Sequence, residues 1–216
     1  MVNTASWQCC KPKAANKMGP VVLDLPQIAI RNGHDIVFLT GPARSGKDTI
    51  ANVFVKHGYT CLKLAGALKK ALSAIFGFSP EQMEDGVLKE TIDETWGITP
   101  RTAMQYIGTD VFQNHLDSLI PGIGRDIWVK GLSIEIEKIL KSGGRVVISD
   151  LRFPHEFDYI SSMYPTQTIV YKMHRLGTSF DAIKEMHLSE SAHHSIPIDG
   201  TIVGASGTGP EAWKVL

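Results

Sequence analysis

Between Asp35 and Ile50 the chain reads Asp-Ile-Val-Phe-Leu-Thr-Gly-Pro-Ala-Arg-Ser-Gly-Lys-Asp-Thr-Ile, and this stretch constrains the fold more than any other. Ile36 to Leu39 are apolar and mostly β-favouring, which predicts a buried strand. Gly41 to Lys47 follows the P-loop pattern: a glycine, four residues, a second glycine and a lysine. Beyond it Ile50, Val53 and Phe54 recur at helical spacing and open an amphipathic helix. Strand, loop and helix in that order form a nest of inward N–H groups at the positive end of a helix, suited to a di- or triphosphate. Gly41, Arg44, Ser45, Gly46, Lys47, Asp48 and Thr49 are therefore the expected nucleotide-binding residues, with Lys47 reaching the outer phosphates. The usual hydroxyl after the lysine is replaced by Asp48. A carboxylate is itself a hard oxygen ligand, able to hold Mg2+ directly or through water. The competing reading is a glycine-rich β–α turn that binds nothing.

The formal net charge is zero, with 22 basic and 22 acidic residues, so no global field draws the chain to nucleic acid or membrane. Cys9, Cys10 and Cys61 make neither a disulfide framework nor a zinc pattern, which fits a reducing compartment and a cytoplasmic location. No apolar run approaches the ~20 residues of a membrane span. Residues 1–34 read as an extension, expected to be partly disordered; up to Pro20 they hold three lysines and no acid. Within it, Val21 to Ile30 is more apolar and is expected to pack on the domain surface. Residues 35–216 are expected to form one domain.

Along that domain, helices and strands alternate. Tyr59 to Leu64 predicts a second strand, and Leu68, Ala71, Leu72, Ile75 and Phe76 predict a helix. Ser79-Pro80 and Thr99-Pro100 each place a hydroxyl cap before a proline, and so open helices. The second helix is expected to turn Ala103, Met104, Ile107, Val111 and Phe112 inward. Asp126 is expected to cap a helix ended by Gly143-Gly144. Arg145 to Asp150 and Thr168 to Met173 predict strands, with a helix from Pro154 between them. This order predicts an α/β fold, a three-layer sandwich with a parallel central sheet of the P-loop NTPase kind. Ligands in such sheets bind at the carboxyl ends of the strands, which makes Asp150 and Arg152 candidates for the cleft beside the P-loop. The plainer alternative is a turn-capping acid and a solvated arginine.

Five blocks carry a resemblance to a known family. They are Arg44-Ser-Gly-Lys-Asp-Thr49, Thr99-Pro-Arg-Thr-Ala-Met-Gln-Tyr-Ile-Gly-Thr-Asp110, Asp126-Ile-Trp-Val129, Ser149-Asp-Leu-Arg-Phe-Pro-His-Glu156 and, more loosely, His187-Leu-Ser-Glu190. Together they resemble the deoxynucleoside monophosphate kinases of tailed bacteriophages and large DNA viruses, over residues 35 to 204. The Gly-Lys-Asp form of the P-loop is part of the resemblance. Where many members have an arginine shortly after the Gly-Thr-acid triplet, this chain has Gln113.

The resemblance implies a nucleoside-monophosphate-kinase-like fold and transfer of the terminal phosphoryl group of ATP, with Mg2+, to a deoxynucleoside 5′-monophosphate. It implies small-molecule substrates rather than nucleic acid, admits a homodimer, and for a viral chain places the enzyme in the host cytoplasm. Lys47, Asp150, Arg152 and Arg175 are the expected catalytic residues, and Asp48 and Asp150 the expected metal ligands. Lys69, Arg101, Gln105, Thr109, Asp110, Trp128, Asp150, Arg152, Glu156 and Glu190 are expected around the acceptor. Arg101 would grip the monophosphate at a positive helix end, and Gln105, one turn on, would meet the base edge. Tyr106 and Trp128 offer faces for stacking, although aromatics near a helix start are more often core. His187, Glu190, His193 and His194 match no zinc spacing and fall in a segment expected to lie near a mobile cover over the phosphates. Two other readings remain open: a kinase of another phosphorylated metabolite, of the phosphomevalonate or dephospho-coenzyme-A kind, and a non-catalytic nucleotide-binding module.

Overall fold

The computed structural model describes residues 22–42, 44–176, 195–205 and 207–216. In chain order, helix α1 (Leu25–Arg31) precedes strand β1 (Ile36–Thr40), helix α2 (Lys47–Val55) and strand β2 (Tyr59–Leu62). Helices α3 (Gly66–Phe76), α4 (Pro80–Glu84) and α5 (Pro100–Gln105) follow, and α5 continues as a π-helix over Tyr106–His115. Helix α6 (Ile127–Lys141), strand β3 (Arg145–Leu151), helix α7 (Pro154–Met163) and strands β4 (Thr168–Leu176), β5 (Gly200–Ala205) and β6 (Lys214–Val215) complete the described elements.

The six strands form one sheet in the order β2-β3-β1-β4-β5-β6. All pairings are parallel except β5 with β6. β1 sits between β3 and β4, with Phe38 level with Ile148 on one side and Val170 on the other. All five of its residues are buried, and the strand's two-residue alternation divides them between the two faces. Val37 and Leu39 pack with Leu25 and Ala29 of α1 and Ile50 and Phe54 of α2. Ile36 and Phe38 pack with Val129, Leu132 and Ile136 of α6 and Ile160 of α7. Helices on both faces make the fold a three-layer α/β sandwich with a mostly parallel sheet. Burying a side chain such as Phe38 contributes roughly 1.5–3 kcal/mol, so β1 anchors both layers.

A third, smaller core lies on the α3 side, where Leu68 and Leu72 meet Phe78, Met83 and Ala103. The sequence signals for its helices hold in detail. Ser79 and Gln82 form a reciprocal cap on α4, and Thr99 accepts from the Thr102 amide at the start of α5.

Four expectations need correction. The second strand stops at Leu62, because Lys63 to Ala65 turn toward Asp150. Asp126 does not cap α6: it already has helical φ and ψ, as the end of a 3-10 turn that feeds into the helix. The helix opened by Thr99 changes type after Gln105, and Val111, expected inward, is 37% exposed. Strands β5 and β6 were not anticipated; they extend the sheet beyond β4. The described part of the apolar stretch, residues 22–30, does pack on the domain, with Val22, Leu25 and Ala29 buried in the α1–α2 face. Among the described residues no helix is long and apolar enough to cross a membrane.

Candidate functional site

Three parallel strands, β1, β3 and β4, bring their carboxyl ends to one edge of the sheet, and the chemistry-bearing loops gather there. Thr40, at the end of β1, donates its hydroxyl to the Leu151 carbonyl at 3.0 Å and ties two of those ends together. The glycine-rich loop leaves β1 at this point. Gly41 has φ +135° and lies so close to β4 that a Cβ would come within 2.8 Å of the Met173 carbonyl. Gly46 has φ +95°, and a Cβ there would meet the Trp213 ring at 2.4 Å. Only glycine satisfies both the dihedral and the contact at either position. Arg44 adopts φ +60° at the loop's tip, and its carbonyl accepts from the Arg175 guanidinium at 3.2 Å. Lys47 curls over the same loop and donates to the carbonyls of Gly41 (2.8 Å) and Pro42 (2.6 Å). Its ammonium is thus held above the loop at the amino end of α2.

Asp48, next along, accepts from the Ser149 hydroxyl at 3.0 Å and pairs with Lys63 at 3.2 Å. Burial pushes its pKa up, but Lys63, the Ser149 hydroxyl and Lys47 together pull it down further, so the carboxyl titrates below its ordinary value. Its side chain remains 72% exposed, so an ionised oxygen faces outward beside the loop. Asp150 differs. It is partly buried, and its two oxygens accept from the amides of Leu64 (2.8 Å) and Ala65 (3.1 Å). Burial raises its pKa against the pull of those amides. Its carboxylate fastens the end of β3 to the β2–α3 turn. Among the described residues no three His, Cys, Asp or Glu side chains converge on a metal site.

On the far side of Asp150 a cleft of about 170 Å³ opens between the sheet edge and the helices. Leu64 and Ala65 line it from the β2–α3 turn, Leu68 from α3, and Met104, Gly108, Thr109 and Gln113 from the α5 wall and its π-helical continuation. Trp128, Asp150, Arg152, Phe153 and Glu156 close it. Trp128 is fixed by donating its indole N–H to the Gly108 carbonyl at 3.1 Å and by packing on Phe112, with ring centroids 5.1 Å apart. Glu156 accepts from the amides of Arg152 (3.0 Å) and Phe153 (2.9 Å), rigidifying the start of α7. Burial pushes its pKa up to about 7, opposed by those two amides and reinforced by Asp150.

Of the residues expected around the acceptor, Thr109, Trp128, Asp150, Arg152 and Glu156 come together in this cleft. The others do not. Arg101 forms an ion pair with Glu90 outside it, and Gln105 and Tyr106 are exposed. Asp110 faces solvent beside Asn114, and Lys69 pairs with Glu84 at 2.5 Å. Glu190 and the rest of the His187–His194 segment lie outside the described residues.

The sequence reading missed several residues. Lys63 bridges Asp48 and, at 3.9 Å, Glu84, so it sits between the loop and the cleft. Its position just past the end of β2 was a usable signal, since that strand also ends at the ligand edge. Lys89 is half-buried, and its pKa is lowered first by burial and then by the charge of Lys69. Gln113 and Phe153 line the cleft with no signal in an α-helical or strand period, whereas Met104 reaches it as one of the residues expected inward on α5.

Residues 79–202 match the family model for deoxynucleotide monophosphate kinase. The chain is also 33% identical over 166 residues to a protein of Acanthamoeba polyphaga mimivirus named as a candidate deoxynucleotide monophosphate kinase. That match spans 74% of this chain and 83% of the relative. Residues 79–202 carry α5, the π-helical wall, α6, β3 and the start of α7, which line the cleft on every side but that of Leu64, Ala65 and Leu68. With a matching model over more than half its length and a relative covered nearly throughout, the chain belongs to the deoxynucleotide monophosphate kinase family.

Proposed function

We propose that the protein transfers the terminal phosphoryl group of ATP to a deoxynucleoside 5′-monophosphate, yielding ADP and the deoxynucleoside diphosphate. The observation that carries the reading is the adjacency of two different sites on one sheet edge. One is a glycine-rich loop with Lys47 and the start of α2; the other is a cleft with aromatic walls and an arginine, Arg152. Loop and cleft meet at Lys63 and Asp150.

In this reading the loop is a P-loop within a nucleoside-monophosphate-kinase-like fold. Its amides and Lys47 hold the β- and γ-phosphates of ATP, and Arg44 and Arg175 stand over the outer phosphates. The nucleoside monophosphate occupies the cleft, with its base beside Trp128 and Phe153 and its phosphate toward Arg152. An acceptor phosphate has a second pKa near about 6 and is already nucleophilic at neutral pH. One of its oxygens attacks the γ-phosphorus of ATP, and the bond to the β-phosphate oxygen breaks. Such a transfer needs alignment and cations more than a general base.

The residues fit a magnesium ion that takes one protein carboxylate, the nucleotide phosphates and water. Asp48, ionised and outward-facing, would hold it. Bound there, the ion would neutralise phosphate charge. Asp150, with both oxygens engaged by backbone amides, acts instead by fixing the turn that separates the two sites.

The test is ADP release measured over a panel of acceptors. Release dependent on a deoxynucleoside monophosphate is expected. Release only with a phosphomevalonate- or dephospho-coenzyme-A-like acceptor would replace the reading with another metabolite kinase. ATP binding without acceptor-dependent release from any compound would leave a non-catalytic nucleotide-binding module.

A further inference from the structure

One wall of the cleft is built in a rarer helical geometry, and that geometry selects which side chains face inward. Four wall residues, Met104, Gly108, Thr109 and Gln113, are separated by steps of four, one and four. In an α-helix Met104 and Gln113 would be about two and a half turns apart, on opposite faces. In the π-helix over Tyr106–His115 each bond spans five residues, so positions four and five apart stack on one face. Gln113 is thereby carried round to the side of Met104, Gly108 and Thr109. Gly108 makes the close packing possible: a Cβ there would come within 2.6 Å of Leu68, on the facing wall.

Gln113 is half-buried on this wall, and among the described residues its amide has no hydrogen-bond partner in the protein. Three of the neighbouring polar side chains are engaged within the protein. The indole N–H of Trp128 is taken by Gly108, Asp150 by two amides, and one oxygen of Glu156 by two more. Leu64, Leu68, Met104 and Phe153 are apolar. A ligand with a flat ring lying along Trp128 and Phe153 would present its edge to Gln113.

Taking the cleft as the acceptor site proposed above, we infer that Gln113 reads the edge of the acceptor base and sets base preference. An amide offers one donor beside one acceptor, so it matches an edge carrying one of each, such as the amino group and N7 of adenine. It does not match two adjacent acceptors, such as O6 and N7 of guanine, which suit the donor-only guanidinium of arginine. Gln105, exposed and outside the cleft, has no part in this reading.

The experiment measures kcat/KM of the full chain with dAMP, dGMP, dCMP and dTMP for the unmodified protein, Gln113→Ala, Gln113→Arg and Gln105→Ala. ATP binding without acceptor and melting temperature are followed alongside. Gln113→Ala should flatten the ranking of the four bases. Gln113→Arg should raise the dGMP-to-dAMP ratio on the order of tenfold or more. Gln105→Ala should leave the ranking in place, and ATP binding should be unchanged throughout. If the unmodified protein phosphorylates some of the four and both Gln113 variants keep its ranking, or lose activity equally toward all four, the assignment of Gln113 is overturned while the kinase reading stands. If the unmodified protein phosphorylates none of them, the acceptor reading falls, and the assignment with it.

Discussion

The glycine-rich loop and the cleft beside it share a sheet edge but are made in opposite ways. The loop is local. Residues 36–54 supply the strand, the two obligatory glycines, the lysine and the helix whose amino end faces the loop. Its lysine is held by its own loop's carbonyls. The cleft is assembled from residues between 64 and 156, on four separate stretches of the chain, and one of its walls changes helical type midway. Its surrounding cations are occupied by acids of the α4 region: Lys63 and Lys69 by Glu84, and Arg101 by Glu90. The loop's own groups come from one short stretch, against which Met173, Arg175 and Trp213 then pack. A site assembled at long range depends on packing, and its charges can exchange one partner for another.

If that contrast is right, the largest single effect comes from the loop. Lys47→Met removes the one ammonium that the loop itself positions, while β1 and α2 keep their burial. Turnover should fall on the order of a thousandfold, as for other preorganised charges, with the melting temperature little changed. A folded variant turning over at near-normal rate would break the donor assignment.

On the cleft side the next largest effect concerns stability. The Glu156 carboxyl is raised from 4.5 to about 7 in the folded protein by burial. The folded state therefore binds this proton more tightly than the unfolded chain does. The contribution to stability is complete below about pH 4.5 and is lost as pH rises through about 7, amounting to about 3 kcal/mol between those limits. Gln can accept the same two amides without titrating. Glu156→Gln should therefore flatten the fall of melting temperature between pH 5 and 8. An unchanged slope would mean that the carboxyl is not held in a poorly solvated setting.

Asp48 tests whether the loop's local design includes a metal ligand. Asp48→Ala removes every oxygen and should cost on the order of a hundredfold in turnover at low magnesium. Asp48→Ser should recover part of it, with a shifted magnesium requirement. Equal activity of all three proteins at every magnesium concentration would place the ion elsewhere.

The same contrast explains what was legible in the sequence. β1, β3 and α2 were readable because burial imposes simple periods, and Ser79 and Thr99 because capping is settled within three residues. Asp126 misled because a 3-10 turn already extends the helix through it. Gln105 is expected at the acceptor from its place one turn after Arg101, and no local signal announces the π-helix that carries Gln113 into the cleft. The facing of Arg101 depends on Glu90, eleven residues away in a segment with no regular pattern. β6 is two residues long, too short to leave a period at all.

The smallest predicted effect asks whether the acids around the cleft hold places that a substrate would take. Arg101 and Glu90 are both about half exposed, and an exposed ion pair contributes roughly 0–1 kcal/mol. Glu90→Gln should thus lower the melting temperature little. If Arg101 must leave Glu90 to meet the acceptor's phosphate, removing that competing charge should lower the KM for the monophosphate by a few fold. ATP affinity, governed by the self-contained loop, should not move. Raising the salt concentration should shrink the difference between variant and unmodified protein, because screening weakens the pair in the latter. Arg101→Ala should raise the same KM and make a further Glu90→Gln change silent. If Glu90→Gln instead destabilises the fold and leaves KM alone, the pair is structural and Arg101 is no part of the acceptor site.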